Sequence, residues 1–375
     1  MAAPKTVPSA PPPRGGCSLT TWALLIALVA IGAAAIYNAR ATQYSATETM
    51  RAVVHNISST TGQRTFRTDQ PRPLPGAGQM LVRVHAAAIN PVDFKIPALL
   101  RFGSVVGLDF AGTVVASNAP GWAVGDHVFG MTTHGTLAEF TLVAGDEVAR
   151  KPAALSWTQA ASLGVAYLTA YQSLRACAVQ AGESVLVIGA SGGCGAAGVQ
   201  LASAMGLSHI AGVASAANAK LVESLGATQF VDYTAHPDLT AVFPPASFDC
   251  VYDAASFSGG GEDYTAQALA LVKPDRKLAA INAAPLKWLS LFTGIQRLTN
   301  PQHLLLVTQR RRTDLEEIVA LMGAVGRRDQ QSAAPTLNFE PLIEQVYEFT
   351  ADGVERAFEH LKSRRARGKL VFQIA

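Results

Sequence analysis

The stretch that decides the fold, Leu186–Ala202, reads "LVIGASGGCGAAGVQLA". Apolar, β-branched residues come first, closely spaced glycines follow, and an apolar helical pattern completes it. Where a strand turns through glycine into a helix, the helix start offers free N–H groups and a positive dipole end to a phosphate. The order of these features therefore predicts a strand, a tight turn and a helix that together hold an anion.

The glycines fit a dinucleotide-binding turn. From Ala190 the residues read A-x-G-x-x-G, in which Gly192 would let the backbone approach a pyrophosphate and Gly195 would let the helix pack closely on the strand. A tight turn without a ligand is the alternative, but a complete βαβ unit surrounds this one. The predicted phosphate-binding residues are Ala190, Ser191, Gly192, Gly193, Cys194 and Gly195.

Strands and helices alternate on both sides of this turn. "SVLVIG", "HIAGVAS", "QFVDY" and "FDCVYDAA" have the pattern of strands, and "NAKLVESLG" and "DYTAQALALV" that of helices. Such alternation indicates βαβ units on a parallel sheet, from about residue 156 onward. The preceding region, from Met50, has short strands separated by glycine turns. The sequence thus predicts an α/β protein with a β-rich first domain and a doubly wound second domain.

The end of the second strand of the α/β region indicates which nucleotide binds. Sites that prefer NAD carry an acidic residue about 20 residues after the glycines, on the ribose hydroxyl. Here Ala214 and Ser215 occupy that position, so no carboxylate would repel a 2′-phosphate. Ser215 can donate a hydrogen bond to the phosphate or cap the next helix, and Lys220 can add charge or lie in solvent. These residues favour NADPH.

Composition excludes several classes of function. Charged residues make up 15% of the chain and the net charge is +3, so there is no concentrated basic surface for nucleic acid. The four cysteines are widely scattered and no C-x-x-C pair occurs, which indicates neither a zinc ribbon nor a disulfide framework. We therefore expect free thiols.

The first fifty residues differ from the rest. Residues 1–18 are proline-rich and are predicted to be disordered. Leu19–Tyr37 is an apolar run without charge, close to the lower length limit for a bilayer span, with Trp22 and Tyr37 near its ends. This run predicts a single-pass N-terminal membrane anchor formed by one apolar helix. A cleaved signal segment and a presequence for mitochondria or another organelle remain alternatives.

Several segments resemble, in order, the medium-chain dehydrogenase/reductase superfamily, in its zinc-free quinone oxidoreductase branch. They are "AAAINPVDFK", "VVGLDFAGTVV", "GDHVFG", "GTLAEF", "LTAYQSL", "GASGGCG", "LVESLGAT", "FDCVYDAA" and "RARGKLVF". The chain is also similar to the reticulon-interacting mitochondrial oxidoreductases and to fungal enoyl reductases of this branch. The resemblance covers Met50–Ala375.

The family's domain plan gives the expected boundaries. The resemblance implies a GroES-like β domain over 50–155, completed by 335–375, and a Rossmann NADPH-binding domain over 156–310, with the active site between them.

The resemblance also implies hydride transfer from NADPH to a quinone or an α,β-unsaturated carbonyl. Zinc-dependent members carry cysteine, histidine and cysteine ligands at positions that fall here on Asn90, Leu108 and Val165. These residues do not form a useful zinc site, so no metal is predicted. Without a Lewis acid to stabilise an alkoxide, alcohol oxidation is disfavoured.

The candidate catalytic residues lie in two of these motifs. Asn90 matches the family's cleft asparagine and can donate to a carbonyl oxygen on which charge develops, or cap its loop. Asp93 and Lys95 share its motif and can orient each other or form a structural ion pair. Tyr171 can donate a proton or pack. Because Phe94 stands where many members have a tyrosine, water is an alternative proton donor.

The remaining cofactor contacts follow from the resemblance alone. Thr169 is expected to face the nicotinamide, and Tyr233 to lie along the adenosine phosphate. Asp253 and Ala254, at the end of the fourth strand of the Rossmann domain, are expected beside the nicotinamide ribose.

Residues 282–296 are least explained by the fold. Trp288, Leu291 and Phe292 can line an apolar acceptor pocket, and a buried segment or a homodimer contact is equally consistent with them. The sequence thus predicts a zinc-independent, NADPH-dependent reductase of a small apolar carbonyl or quinone. An enoyl-thioester reductase of lipid or polyketide metabolism and a non-catalytic NADPH-binding membrane scaffold are the alternatives.

Overall fold

The computed structural model of the chain describes residues 42–55, 64–95, 105–284, 301–323 and 338–375. The strands are β1 Gln43–His55, β2 Arg64–Leu74, β3 Gln79–Ile89, β4 Asp109–Ser117, β5 His127–Met131, β6 Phe140–Ala144, β7 Val148–Arg150, β8 Ser184–Ile188, β9 His209–Ala214, β10 Gln229–Asp232, β11 Phe248–Asp253, β12 Val272–Ala280, β13 His303–Leu305, β14 Ile343–Glu348 and β15 Lys369–Gln373. The helices are α1 Val92–Lys95, α2 Trp157–Ala161, α3 Val165–Ala176, α4 Gly193–Ala204, α5 Ala219–Ser224, α6 Thr265–Leu271, α7 Arg312–Leu321 and α8 Ala351–Lys362.

The α/β region is a six-stranded parallel sheet in the order β10-β9-β8-β11-β12-β13. Strand order reverses between β8 and β11, and in open parallel sheets ligands bind at the carboxyl ends of the strands at such a point. The strands β8, β9 and β11 are almost fully buried, which explains their continuous apolar sequences. The expected Rossmann sheet is confirmed.

The β-rich region is a seven-stranded sheet in the order β14-β15-β3-β4-β5-β7, with β6 also paired to β3. Its last two strands come from the end of the chain: β15 runs antiparallel to β3 and parallel to β14. The expected GroES-like β domain is confirmed, and the C-terminal strand lies beside the strand that leads into Asn90.

One apolar core joins the two regions. A single cluster of buried side chains includes Ala86 and Ala88 of β3, Leu168 of α3 and Val187 of β8. The helical pattern after residue 156 divides into α2 and α3. An ideal Cβ on Gly164, between them, would lie 2.3 Å from Asp109 Oδ1, so the chain turns here against a buried carboxylate.

The predicted N-terminal anchor is corrected. Across the described ranges no helix is long and apolar enough to cross a bilayer. That finding overturns the predicted single-pass anchor and gives no support to an N-terminal apolar helix or to membrane association. The segment Leu19–Tyr37 itself lies outside the described residues. It is rich in alanine, which removes little apolar area from water per residue, so its uncharged composition was weak support for a span.

The prediction of free thiols is wrong for two cysteines. Cys177, which follows α3, and Cys250 of β11 form a disulfide with a Cα–Cα distance of 5.7 Å, within the usual range. The two are 73 residues apart in sequence, and folding rather than local spacing brings them together. Cys194 is a free cysteine. The residues Trp288, Leu291 and Phe292 lie outside the described residues, and the apolar pocket assigned to them stays a prediction.

Candidate functional site

The glycine turn joins β8 to α4 at the switch point of the parallel sheet. An ideal Cβ on Gly195 would lie 2.0 Å from the Gly189 carbonyl oxygen, so only glycine permits this approach of helix to strand. Gly192, the N-cap of α4, has an ordinary φ of −79°, and the nearest atom to its ideal Cβ is 3.6 Å away. Its missing side chain therefore leaves open space in front of the helix start, where a phosphate would fit.

Two backbone hydrogen bonds fix Ala190 and Ser191 in this turn. The Ala190 N–H donates to the Val213 carbonyl at 2.9 Å, which ties the turn to β9. The Ser191 carbonyl accepts from the Gly368 N–H at 3.1 Å, and Gly192 and Gly368 form a parallel bridge. The residue before β15 of the β-rich sheet thus lies directly on the phosphate turn.

The end of β9 forms a small polar cluster. The Asn218 amide donates to Ser215 Oγ at 3.1 Å and to Ser191 Oγ at 3.3 Å. Asn218 Oδ1 is buried and has no hydrogen-bond partner among the described residues. Buried polar atoms are seldom left unpaired, so this oxygen is a candidate acceptor for a bound group. Lys220 is exposed on α5, and Tyr233 is 41% exposed after β10.

Asp253 ends β11 with one carboxylate oxygen engaged and the other unpaired. Oδ1 accepts from the N–H groups of Ala255 and Ser256 at 3.0 and 2.9 Å. Oδ2 is buried and has no partner among the described residues. Burial raises the pKa of this carboxyl above its usual value. The Ala254 N–H donates to the Ile188 carbonyl at 3.0 Å and holds this end of β11 against β8. An unpaired buried acceptor at the switch point is suited to a ribose hydroxyl.

The open space before Gly192 and the two orphaned oxygens of Asn218 and Asp253 are the fit test for a dinucleotide. All lie at the carboxyl ends of β8, β9 and β11. The residues present fit NADPH. Burial raises the pKa of the Cys194 thiol, also in the turn, to about 11, so this thiol stays protonated at neutral pH.

Helix α3 places Thr169 and Tyr171 in different contacts. Thr169 Oγ1 is hydrogen-bonded to Thr308 Oγ1 at 2.6 Å. The Tyr171 hydroxyl donates to Glu317 Oε2 on α7 at 3.2 Å. Burial, followed by the charge of Glu317, raises the pKa of Tyr171 to about 12. This hydroxyl is engaged in helix packing, and a role in proton transfer stays a prediction.

Asn90 lies at the centre of a buried polar cluster at the end of β3. Asn90 Nδ2 donates to Asp109 Oδ2 at 2.8 Å, and Asn90 Oδ1 accepts from Lys369 Nζ. Lys369 Nζ also lies 2.9 Å from Asp109 Oδ2, which makes a salt bridge between side chains that are 3% and 0% exposed. Asp109 Oδ1 accepts from the Val165 N–H at 2.7 Å. Each polar group of this buried pair thus has a partner, as a buried ion pair requires.

Asp93 lies behind Asn90 on α1. Asp93 Oδ2 accepts from the Asn90 backbone N–H at 2.7 Å. Burial raises the pKa of Asp93 to about 7, against the effect of that hydrogen bond. Asp93 therefore fixes the backbone of Asn90, and its carboxyl changes charge near neutral pH.

Lys95 does not pair with Asp93 in the contacts described. Its ammonium donates to the Ser258 carbonyl at 2.8 Å, and Arg364 donates to Ser258 Oγ at 2.8 Å and pairs with Glu262. Burial, and then the charge of Arg364, lowers the pKa of Lys95. The loop after β11 is thus held from the β-rich region by two cations. Asp93 and Lys95, predicted to orient each other, thus bind different groups: the Asn90 backbone and the Ser258 carbonyl.

The residues at the predicted zinc-ligand positions are unsuited to a metal by their chemistry. Asn90 is engaged in the polar cluster, and Leu108 and Val165 carry no donor side chain. Within the described ranges no group of three or more His, Cys, Asp or Glu residues could hold an ion.

Sequence reasoning missed Asp109, Lys369 and Asn218 as parts of this site. Asp109 and Lys369 both begin strands of mostly apolar residues, within the motifs "VVGLDFAGTVV" and "RARGKLVF". A charged residue in a buried strand is rare unless it is paired, and that was the available signal. Asn218 could be suspected only because it lies three residues after Ser215, a predicted cofactor contact.

Two family descriptions match the chain. Residues 225–372 match the zinc-binding dehydrogenase family, and residues 76–153 match the alcohol dehydrogenase GroES-like domain.

Individual relatives extend this comparison. The trans-enoyl reductase pgmF of Aspergillus terreus is 31% identical over 87% of this chain and 96% of its own length. The chloroplastic NADPH-dependent alkenal/one oxidoreductase of Arabidopsis thaliana is 34% identical over 55% of each chain. The solved structure of the quinone oxidoreductase from Coxiella burnetii is 26% identical, with a TM-score of 0.72, over 87% of this chain and 99% of that one.

Proposed function

This chain belongs to the medium-chain dehydrogenase/reductase superfamily, in its zinc-free quinone oxidoreductase branch, and on that premise we propose that it reduces α,β-unsaturated carbonyls or quinones with NADPH. The observation that carries the proposal is the meeting of two sites. Gly368 donates to the phosphate turn at Ser191, and the next residue, Lys369, contacts the buried amide of Asn90. A cofactor turn and a hydrogen-bond donor for a carbonyl therefore share one junction.

NADPH, when bound, supplies the hydride, and the chain's own residues do the rest. Asn90 uses one amide N–H for Asp109 and has a second for a substrate carbonyl oxygen. Such a donor favours the negative charge that develops there during reduction. Asp253 Oδ2 would accept from a ribose hydroxyl of the bound cofactor, and Lys95 holds the loop that follows Asp253. Water is the proposed proton source.

We propose that twelve residues bind NADPH. They are Thr169, Ala190, Ser191, Gly192, Gly193, Cys194, Gly195, Ser215, Lys220, Tyr233, Asp253 and Ala254. We propose residues 50–155 with 335–375 as the substrate domain and 156–310 as the NADPH-binding domain.

Although residues 225–372 match the zinc-binding dehydrogenase family, we propose no zinc ion at this site. The donor set at Asn90, Leu108 and Val165 does not fit zinc, and no step through a metal is proposed. Carbonyl polarisation falls to Asn90 instead.

Enoyl thioesters are a second candidate substrate class. The likeness to a trans-enoyl reductase, along 96% of its length, favours them specifically. An enoyl thioester carries the same conjugated carbonyl as an enone, so the chemistry required of Asn90 is unchanged.

A substrate panel tests the proposal. The full chain is mixed with NADPH and with enones, quinones or enoyl thioesters, and the loss of NADPH absorbance is followed. We expect turnover of at least one class and its loss in the Asn90→Ala variant. No turnover of any class, with NADPH bound, would leave a non-catalytic NADPH-binding protein as the better description.

NADPH is expected to bind at least about tenfold more tightly than NADH, which corresponds to roughly 1.4 kcal/mol. The reason is that Ala214 and Ser215 present no carboxylate to a 2′-phosphate. Ser215→Asp should reverse the preference by charge repulsion, whereas Ser215→Ala should only weaken it. Titration of both cofactors by fluorescence measures the ratio, and equal affinities in the wild type would contradict the prediction.

Activity is expected to survive a strong chelator, and elemental analysis should find no stoichiometric zinc. Asn90, Leu108 and Val165 cannot replace the cysteine and histidine ligands of zinc enzymes. Loss of turnover on chelation, with recovery on addition of zinc, would place the metal elsewhere in the chain and refute this reading of the site.

A further inference from the structure

Lys369 is the buried cation of the polar cluster around Asn90. Its side chain is 3% exposed, and its ammonium donates to the Ile89 carbonyl at 3.1 Å, to Asn90 Oδ1 and to Asp109 Oδ2 at 2.9 Å. We propose that Lys369 is a positioning residue, which orients and polarises the Asn90 amide so that its free N–H is presented to the substrate carbonyl. The inference rests on the proposed function, because Lys369 would act on the reduction of the substrate carbonyl.

The two flanking charges determine which way the Asn90 amide faces. In the observed orientation the amide oxygen meets the ammonium of Lys369 and the amide nitrogen meets the carboxylate of Asp109. After a flip of the amide, two donors would face each other at Lys369 and two acceptors at Asp109. Many asparagine amides can be placed in either orientation, but here Lys369 and Asp109 both disfavour the flipped orientation of Asn90.

The ammonium also changes the strength of the amide as a donor. A cation hydrogen-bonded to the amide oxygen draws electron density from the nitrogen, and bonds in such a chain strengthen one another in a low-dielectric interior. Asn90 is 4% exposed, so water screens this effect little. The second N–H of Asn90 therefore becomes a better donor to a developing oxyanion than an isolated amide would be.

A direct contact with the cofactor phosphates is the competing role for Lys369. The side-chain stem does lie along the phosphate turn, because an ideal Cβ on Gly193 would be 3.4 Å from Lys369 Cδ. An ammonium has three donors, and all three are used by Ile89, Asn90 and Asp109. The ammonium makes its three hydrogen bonds with residues of the β-rich region and none with the turn, which favours action through Asn90.

A double-mutant cycle tests this coupling in the full chain. The variants are Lys369→Met, Asn90→Ala and the double variant, each assayed for kcat, KM and NADPH affinity. We expect Lys369→Met to lower kcat about 10- to 100-fold in the wild-type background, less than the roughly 100- to 1000-fold loss expected when an oxyanion donor is itself removed, and less than about threefold in the Asn90→Ala background. NADPH affinity should change less than about threefold, since the ammonium is not its ligand.

Removing Lys369 alone leaves the buried charge of Asp109 uncompensated, so Lys369→Met can fail to fold. The double variant Lys369→Met/Asp109→Asn removes both charges and keeps an acceptor for the Val165 N–H. We expect this pair to fold and to stay slow, because the new amide nitrogen at position 109 faces the Asn90 amide nitrogen and favours the flipped orientation of Asn90. Recovery of wild-type kcat in the neutral pair would show that only charge balance mattered, and would overturn the proposal.

Lys273→Met is the matched control. Lys273 pairs with Asp249 at 2.7 Å, but at the amino ends of β11 and β12, the edge of the sheet opposite the site. It should leave kcat unchanged. Equal losses of kcat from Lys369→Met in both Asn90 backgrounds, or a tenfold loss of NADPH affinity at unchanged kcat, would assign Lys369 a structural or a phosphate-binding role.

A readout without turnover separates this proposal from the proposed function. In protein labelled with ¹⁵N-asparagine, the side-chain amide signal of Asn90 is identified by its loss in Asn90→Ala. Lys369→Met/Asp109→Asn should move that signal and make its two protons more nearly equivalent, whereas Lys273→Met should not. If the wild-type protein reduces no acceptor, the proposed function is refuted, but the position of the Asn90 amide signal still decides whether Lys369 orients Asn90. A signal that does not move in Lys369→Met/Asp109→Asn overturns the positioning role.

Discussion

Gly192→Ala is expected to leave the protein folded and to weaken NADPH binding at least about tenfold, roughly 1.4 kcal/mol, whereas Gly195→Ala is expected to destabilise the fold by about 3 kcal/mol or more. The two glycines belong to one turn but meet different surroundings. The ideal Cβ of Gly192 has open space before it, with its nearest neighbour at 3.6 Å. That of Gly195 would lie 2.0 Å from the Gly189 backbone oxygen, which cannot move without shifting β8.

Urea unfolding and NADPH titration of the two variants separate these outcomes. Gly192 caps α4, so alanine there costs no more than about 1 kcal/mol of stability, and the loss should appear in affinity. Gly76→Ala is the control, because its Cβ would meet only the flexible end of Gln79. Normal NADPH binding by Gly192→Ala would show that the space in front of Gly192 does not hold the cofactor. Wild-type stability of Gly195→Ala would contradict the close approach of helix and strand.

The strands and the glycine turn could be predicted because their signals are local. Buried parallel strands such as β8 and β11 have continuous apolar sequences. The glycines of the turn are required by backbone geometry within a few residues. The division between a β-rich and an α/β region followed from the same periodicities. One helical pattern was broken at Gly164, where a carboxylate from a distant strand occupies the space of a side chain.

The polar cluster at Asn90 could not be predicted, because its partners are distant in sequence. Asn90 meets Asp109 across 19 residues and Lys369 across 279 residues. The sequence offered Asp93 and Lys95 as an orienting pair because they are neighbours. Instead Asp93 binds the Asn90 backbone, and Lys95 binds Ser258 of the loop after β11. The disulfide between Cys177 and Cys250 was missed for the same reason.

The position of β15 explains why the end of the chain matters to the site. Lys369, its first residue, is placed by pairing between β15 and β3, the strand that ends at Ile89. Gly368, just before it, has a φ of +85° and no space for a Cβ beside Leu342, so the chain turns sharply onto Ser191. One short segment therefore connects the carbonyl donor with the phosphate turn.

Asp93→Asn is expected to stabilise the protein above neutral pH. Burial raises the pKa of the folded-state carboxyl to about 7. The charge of Asp109 raises it further, and the Asn90 N–H, Lys369 and Arg64 act in the opposite direction. In the unfolded chain an aspartate titrates near pH 3.9. Between these two pKa values the folded protein keeps a proton that the unfolded chain has released.

The sign of the pH dependence follows from that difference. Where the folded state binds more protons, the free energy of unfolding falls as pH rises. The wild type should therefore lose stability from about pH 4 to pH 7 through this group, by up to roughly 4 kcal/mol at about 1.4 kcal/mol per unit. An asparagine can still accept from the Asn90 N–H but carries no charge, so Asp93→Asn avoids this loss.

Urea unfolding at pH 5 and pH 8 measures the effect as a difference between wild type and variant. The advantage of Asp93→Asn should grow by about 2.5 kcal/mol between these two pH values, because most of the titration lies between them. Asp238→Asn is the control: hydrogen bonds from Thr240 lower the pKa of Asp238, so this carboxyl is ionised in both the folded and the unfolded state at pH 5 and pH 8, and its loss should change stability equally at the two pH values. A pH-independent difference for Asp93→Asn would mean that Asp93 is ionised in the fold, with its charge balanced by Lys369 and Arg64, and the polar cluster would then carry one more negative charge behind Asn90 at neutral pH.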